Sequence, residues 1–137
     1  MTLPKAVHPE GWMKPSGYAH GVSATGGGRV IVTAGQVGWN PSNGAIESDD
    51  FAQQAAQALR NIVAVLRAAG AGPEHLVRLT WFITHRAEYM RARKALGTAY
   101  REIVGQNFPA MSVIVVSGLL EERAKVEIEA TAVVPSP

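Results

Sequence analysis

Apolar residues recur at spacings of three and four in two long segments, and this helical periodicity constrains the fold more than any other feature. The first segment, residues 51–69, follows cap-forming oxygens at 48–50 and stops before Gly70. The second segment, residues 88–104, stops before Gly105. Two amphipathic helices are too few to cover both faces of a sheet, so we expect them to cover one.

The rest of the chain has the β-branched content or the alternation of strands. The order is then β-β-α-β-α-β-β, which predicts an α+β fold with two helices on one face of a mixed sheet. A length of 137 residues fits one domain covering 1–137. The predicted strands lie at residues 18–24, 30–33, 76–83, 111–117 and 125–134.

Glycine and proline mark the ends of this pattern. Residues 1–17 are rich in both and predict an extended N-terminal arm, while residues 135–137 predict a frayed tail. The glycines within 25–28 precede a β-branched run rather than a helix. They therefore predict a hairpin turn between the first two strands rather than a phosphate-binding loop.

The central strands carry apolar residues on both faces. This holds for 76–83 and for 111–117, and it is typical of strands that are buried on both sides. The loop at 35–49 is short and hydrophilic, so it is poorly suited to cover the face that the helices leave open. Another copy of the chain is the simplest cover, and the pattern predicts a homo-oligomer.

The last predicted strand alternates most sharply. Its even-numbered residues from 126 to 132 are apolar and should pack against the helices, whereas Glu127, Glu129 and Thr131 point the other way. Two carboxylates directed at a mostly apolar surface are costly unless they are solvated or paired. Glu127 and Glu129 are therefore candidate catalytic groups, and the alternative is an exposed or salt-bridged sheet margin.

Several kinds of chemistry are absent from the sequence. The chain has no cysteine, which excludes disulfides, thiolate metal sites and cysteine nucleophiles. The histidines, at positions 8, 20, 75 and 85, lack the spacing of zinc sites. Nucleotide-binding fingerprints and the nucleophile-elbow motif are missing too. Acid–base chemistry by a carboxylate remains, so we expect neither a metal nor a cofactor.

A formal net charge of +2 without long runs of like charge argues against a nucleic-acid partner. Arg91, Arg93 and Lys94 form the densest basic stretch and are interpreted as a solvated helix face. The tryptophans at 12, 39 and 81 are interpreted as packing residues. No apolar segment approaches the ~20 residues of a membrane span, and the N-terminus lacks a signal-peptide core. The default expectation is a cytoplasmic protein with no membrane partner.

Five short segments, taken in order, resemble the Rid/YjgF family, whose members are also described as perchloric-acid-soluble or endoribonuclease L-PSP-like proteins. No single segment is specific, but the five in this order are. The resemblance extends over about residues 18–134 and fits the predicted element order. The segments lie at residues 17–22, 32–37, 57–62, 108–112 and 126–130.

The resemblance implies a chorismate-mutase-like fold and a homotrimer with clefts between subunits. It also implies a deaminase-type hydrolase that converts reactive enamines and imines to a carbonyl compound and ammonia. In that family, the first glutamate of the last segment lies near the attacking water, which makes Glu127 the catalytic candidate. Tyr18 would line the cleft, and Met111 and Ser112 are the other candidate residues for binding a small-molecule substrate.

Met111 departs from the family pattern, because the deaminases carry at this position an arginine that clamps the substrate carboxylate. Methionine offers a soft apolar wall and cannot make the bidentate, charge-assisted bonds of a guanidinium. Losing such bonds weakens a carboxylate ligand by about 10- to 100-fold. Met111 thus predicts a less anionic substrate or a chain that has left catalysis, unless it is simply a packing residue. The sequence leaves open whether Arg29 or Arg123 replaces the guanidinium.

The sequence supports more than one function. A deaminase-type enzyme is the leading prediction. A non-catalytic small-ligand-binding or chaperone-like trimer is the alternative, and Met111 favours it because the carboxylate clamp is gone. RNA-directed activity as an endoribonuclease or translation inhibitor is a third prediction, which the scattered basic residues do not favour.

Overall fold

The computed structural model describes residues 3–26 and 28–136. The helices are α1 (Phe51–Ala68) and α2 (Arg86–Ile103), with a short 3-10 helix at Pro73–His75. Within these residues, no helix is both long and apolar enough to cross a membrane. The strands are β1 (Lys5–Val7), β2 (Gly21–Ser23), β3 (Arg29–Val32), β4 (Gln36–Val37), β5 (Trp39–Asn40), β6 (Ala45–Ile46), β7 (Leu76–Ile83), β8 (Ala110–Val115) and β9 (Val126–Val134).

The central sheet is mixed and has five strands in the described residues. Its order is β3-β9-β7-β8, and β4 pairs with the first part of β9. The β7–β8 pair is parallel, whereas β9 runs antiparallel to both β3 and β7. Both helices pack on one face and share a single apolar core with β7 and β9. The predicted α+β architecture is confirmed.

The helix ends follow from local chemistry. The Asp50 side chain accepts a hydrogen bond from the Gln53 amide at 3.0 Å, which caps the start of α1. Gly70 follows the helix with φ +76°, a left-handed conformation that glycine adopts without a Cβ clash. Gly105, which follows α2, has the same left-handed conformation with φ +78°.

The predicted hairpin between the first two strands is wrong. β2 pairs with β1 of the N-terminal arm, and β3 pairs with β9 through a register that begins with Arg29 opposite Val134. A four-residue ladder on the long last strand satisfies more backbone groups of β3 than a hairpin with the three-residue β2 could. The turn predicted at 25–28 includes Gly27, and the predicted tail includes Pro137, both outside the described residues.

The face of the sheet opposite the helices, called the bare face below, is uncovered in a single chain. Val30 and Val32 of β3 are 65% and 71% exposed there, and Ile114 of β8 is 44% exposed. The segment from β4 to β6 packs against α1 rather than over this face, since the Asn61 amide donates to the Trp39 carbonyl at 2.9 Å. The expected open apolar face is therefore present.

A buried glutamine fixes the start of β9. The Gln54 amide of α1 donates to the carbonyls of Ser48 at 2.8 Å and Arg123 at 3.1 Å, and its oxygen accepts from the Lys125 amide at 2.8 Å. Gln54 is 1% exposed, so water cannot replace these bonds. It sets where β9, the strand that carries Glu127, begins.

We expect Gln54→Leu to lower the free energy of unfolding by about 2–4 kcal/mol, because it leaves buried backbone groups without partners. Gln53→Leu is the matched control, since Gln53 is exposed on the same helix and should change stability by less than about 0.5 kcal/mol. Urea denaturation of both variants measures the difference. Equal stabilities would contradict the anchoring role.

Candidate functional site

A cavity of about 1000 Å³ lies between the N-terminal arm, α2 and the beginning of β8. It opens on the helix side of the sheet, because Met111 pairs in register with the buried Leu79 and packs against the core. Aromatic rings supply much of its wall. They belong to Tyr18, Trp81, Tyr89, Tyr100 and Phe108.

The arm brings Tyr18 to this cavity through the backbone. The Ala19 amide donates to the Pro109 carbonyl at 3.0 Å, and Ala19 forms a parallel bridge with Ala110. This contact extends the β8 edge by one residue and brings Tyr18 to the cavity that Met111 also lines, although the two are far apart in sequence. The structure therefore brings together two of the predicted substrate-binding residues.

Tyr18 also belongs to a cluster of rings on the arm. The His20 ring lies edge-on to those of His8, Trp12 and Tyr18, with centroids 5.9, 5.0 and 5.4 Å apart. The sequence had suggested isolated histidines, and folding makes two of them neighbours. Across the described residues, no group of three His, Cys, Asp or Glu side chains is arranged to hold a metal ion.

Glu127 lies on the bare face and is half-buried. It pairs with Val37 of β4 and Phe82 of β7, and its carboxylate lies against Gly35, where an added Cβ would come within 2.6 Å of Oε2. Glu129, two residues on, is exposed. Neither carboxylate forms an ion pair with the described residues.

One chain does not assemble all four predicted residues. Ser112 aligns with Thr80 and Glu129 on the bare face. Glu127 lies on the same face, two residues before Glu129 along β9. Met111 points to the opposite face from both. Met111 belongs to β8 and Glu127 to β9, and β7 lies between these two strands. The axes of β8 and β9 are therefore about 10 Å apart. A small ligand that touches Met111 and Tyr18 cannot reach Glu127 of the same chain.

The two arginines that the sequence offered as replacements are occupied elsewhere. Arg29 donates to the Ala69 carbonyl at 2.9 Å, beyond the end of α1. Arg123 forms an ion pair with Asp49 at 2.8 Å, and this guanidinium lowers the pKa of the Asp49 carboxyl. Neither lines the cavity with Met111.

Sequence reasoning missed two other arginines. Arg93 and Arg101 of α2 line the cavity, whereas Arg91 and Lys94 line a shallow groove between the helices. Arg93 was interpreted as part of one solvated face with these neighbours, and its side chain is exposed as expected, although it also borders the cavity. The available signal was the spacing of four residues from Tyr89 to Arg93 and of eight from Arg93 to Arg101, which places all three on one helix row.

Two buried polar groups border the cavity. The Tyr100 hydroxyl donates to the Asn107 carbonyl, and burial raises the pKa of this hydroxyl. Trp81 is 4% exposed, and its indole N–H has no hydrogen-bond partner among the described residues. A buried donor without a partner is rare in proteins.

Two helices on one face of a mixed sheet, with the other face bare, define a chorismate-mutase-like α+β fold of the Rid type. Residues 13–134 match the family described as Endoribonuclease L-PSP, and the chain belongs to this family. The resemblance to the Rid/YjgF family is thereby confirmed.

The chain is similar to two proteins named 2-iminobutanoate/2-iminopropanoate deaminase. The Escherichia coli (strain K12) protein is 34% identical over 116 residues, which cover 85% of this chain and 86% of the relative. The human protein is 31% identical over 105 residues, covering 77% and 73%. Among solved structures, YyfB of the conserved Rid protein family from Yersinia pestis aligns with a TM-score of 0.83 and 33% identity, covering 97% of this chain and 100% of that one.

We expect Gly35→Ala to displace the Glu127 carboxylate, because the new Cβ would occupy its position. A side-chain end moves easily, so the melting temperature should change by less than about 4 °C. Gly118→Ala is the control, since nothing lies within 4 Å of a Cβ there. Crystal structures of both variants measure the displacement, and an unmoved Glu127 in Gly35→Ala would contradict the contact.

Proposed function

We propose that this protein hydrolyses reactive imines and their enamine tautomers to a carbonyl compound and ammonia. The observation that carries the proposal is Glu127, a half-buried carboxylate with no ion-pair partner among the residues that the structure describes. It occupies the position of the first glutamate of the family's last segment. The relatives named as imine deaminases, at about one-third identity, support the same reaction class.

The reaction asks little of the protein, because an imine carbon is already electrophilic, especially when its nitrogen is protonated. Glu127 would accept a proton from a water molecule as the water oxygen bonds to that carbon. The same proton would then be delivered to the nitrogen of the tetrahedral intermediate. The C–N bond breaks, and ammonia leaves with the carbonyl compound as the second product. One water is consumed for each imine.

The site would be shared between two copies of the chain. Tyr18 and Met111 face the cavity at the β8 edge, while Glu127 lies on the bare face beyond β7. Burial of the apolar bare face against other subunits would bring these groups together across an interface. The family's proteins are typically homo-oligomers, and we propose a homotrimer with clefts between subunits for this chain.

Met111 favours a second candidate function. Without a guanidinium at this position, the cleft binds a small carboxylate less tightly, and a non-catalytic ligand-binding oligomer could retain the cleft alone. Turnover distinguishes the two functions, whereas binding does not.

We expect Glu127→Gln to slow imine hydrolysis by about 100-fold or more, because the amide cannot accept the proton of water. The measurement is ammonia release above the spontaneous rate from freshly generated imines, both carboxylate-bearing and neutral. Glu129→Gln, on the same strand and face, is the control and should retain activity. An unchanged rate in Glu127→Gln would rule out this role.

We expect Met111→Arg to increase turnover of small carboxylate-bearing imines by about 10-fold or more, because it restores charge-assisted bonds. Neutral imines should gain nothing, so they serve as the internal control. If the wild-type protein hydrolyses no imine and only Met111→Arg is active, the native protein is the ligand-binding oligomer instead.

We expect Val32→Asp to shift the protein toward the monomer, because it places a charge in the apolar bare face. Val65→Asp, at a 39% exposed valine of α1, should leave assembly unchanged. Sedimentation equilibrium measures the mass of each variant. A wild-type monomer, or a Val32→Asp oligomer of unchanged mass, would contradict the shared site.

A further inference from the structure

We propose that Arg93 and Arg101 of α2 bind the carboxylate of a substrate with a bulky aromatic or apolar side chain. These groups would take over the anchoring that Met111 cannot perform. The catalytic part of this inference rests on the proposed deaminase function, while the binding part stands without it.

The two guanidinium groups are available for a ligand. Both line the cavity, and neither forms an ion pair with the residues the structure describes. The Nε atom of Arg93 donates only to the Met90 carbonyl of its own helix, at 3.3 Å. A guanidinium presents five donors, so most of the hydrogen-bonding capacity of Arg93 remains for a carboxylate.

Gly97 lies between the two arginines on the same helix row and also lines the cavity. Glycine inside a helix is destabilising relative to alanine, so its presence in the middle of α2 calls for a reason. A Cβ at Gly97 would come within 3.4 Å of a terminal nitrogen of Arg101. The missing side chain therefore leaves room for the Arg101 guanidinium to lie against the helix backbone at the cavity wall.

The charge around the cavity favours an anion. Lys14 of the arm lines it together with the two arginines. Glu74 is the carboxylate among the lining residues. His8 also reaches the wall. Three fixed positive charges against one negative charge attract a carboxylate from solution.

The size and chemistry of the cavity favour a bulky substrate. About 1000 Å³ is at the upper end of the range for small-molecule pockets, and an imino acid of four carbons would leave most of it empty. Rings of Trp81, Tyr89 and Phe108 in the wall can pack against an aromatic or long apolar side chain.

The reaction balances as for any imino acid. The substrate R–C(=NH)–COO⁻ takes up one water and yields the keto acid R–CO–COO⁻ and ammonia, with no change in oxidation state. The keto acid is stable and keeps the carboxylate and the side chain of the substrate. It is therefore a suitable probe of binding that does not depend on turnover.

The test is calorimetric titration of the full chain with phenylpyruvate, a bulky keto acid, and with 2-oxobutanoate, a small one. We expect phenylpyruvate to bind more tightly by about 10-fold or more. The double variant Arg93→Gln/Arg101→Gln should weaken its binding by about 10-fold or more. Arg91→Gln is the matched control, because Arg91 belongs to the same helix but lines the groove between the helices.

Circular dichroism and melting temperature establish that each variant folds. Gly97→Leu is a second test variant: its side chain fills the space between the arginines and should also weaken the binding of phenylpyruvate. Equal affinity of the double variant and Arg91→Gln overturns the inference, as does tighter binding of 2-oxobutanoate. Ammonia release is measured in parallel from the imines that correspond to phenylpyruvate and 2-oxobutanoate. If binding depends on the arginines but neither imine releases ammonia, the proposed function is wrong and the anion site remains. Ammonia release that is unchanged in the double variant would leave the proposed function in place and remove the anion site.

Discussion

The antiparallel register of β9 on β7 is the constraint on which the rest of the structure depends. It sets Val126 opposite Ile83 and Ile128 opposite Trp81, so the apolar side chains of both strands form one surface beneath the helices. A shift by one residue would turn Glu127 into that core and move the apolar set to the bare face. The buried Gln54 contacts at the start of β9 hold this register in place.

The same register separates two chemical environments. Side chains on the helix side of β7 and β8, such as Trp81 and Met111, border the cavity that the arm and α2 enclose. Those on the opposite side, such as Ser112 and Glu127, belong to the bare face. A chain with only two helices cannot cover both sides, and this one-sided coverage leads to the proposal of a site completed by a second copy.

Much of the fold could be predicted from local patterns, because helices and strands have fixed side-chain periods. The strand at β7 and the core face of β9 were predicted residue by residue, and the capping position of Asp50 was among those expected. The pairing of β2 could not be predicted, since it depends on where the arm returns and not on the residues of β2 itself. The exposure of Arg93 was predicted, but its place at the cavity was not, because a helical wheel shows which residues share a row and not which segment packs beside them.

The sequence by itself determined the element order, the apolar face of each element, the exclusion of cysteine chemistry and the glutamate at position 127, because these depend on residue type and on spacing within one segment. Only the tertiary structure decided that the arm brings Tyr18 to the cavity that Met111 lines, that Arg29 and Arg123 are bonded elsewhere, and that Arg93 and Arg101 border the same cavity. These are contacts between segments far apart in the chain, and their geometry follows from how the elements pack, which no local pattern specifies.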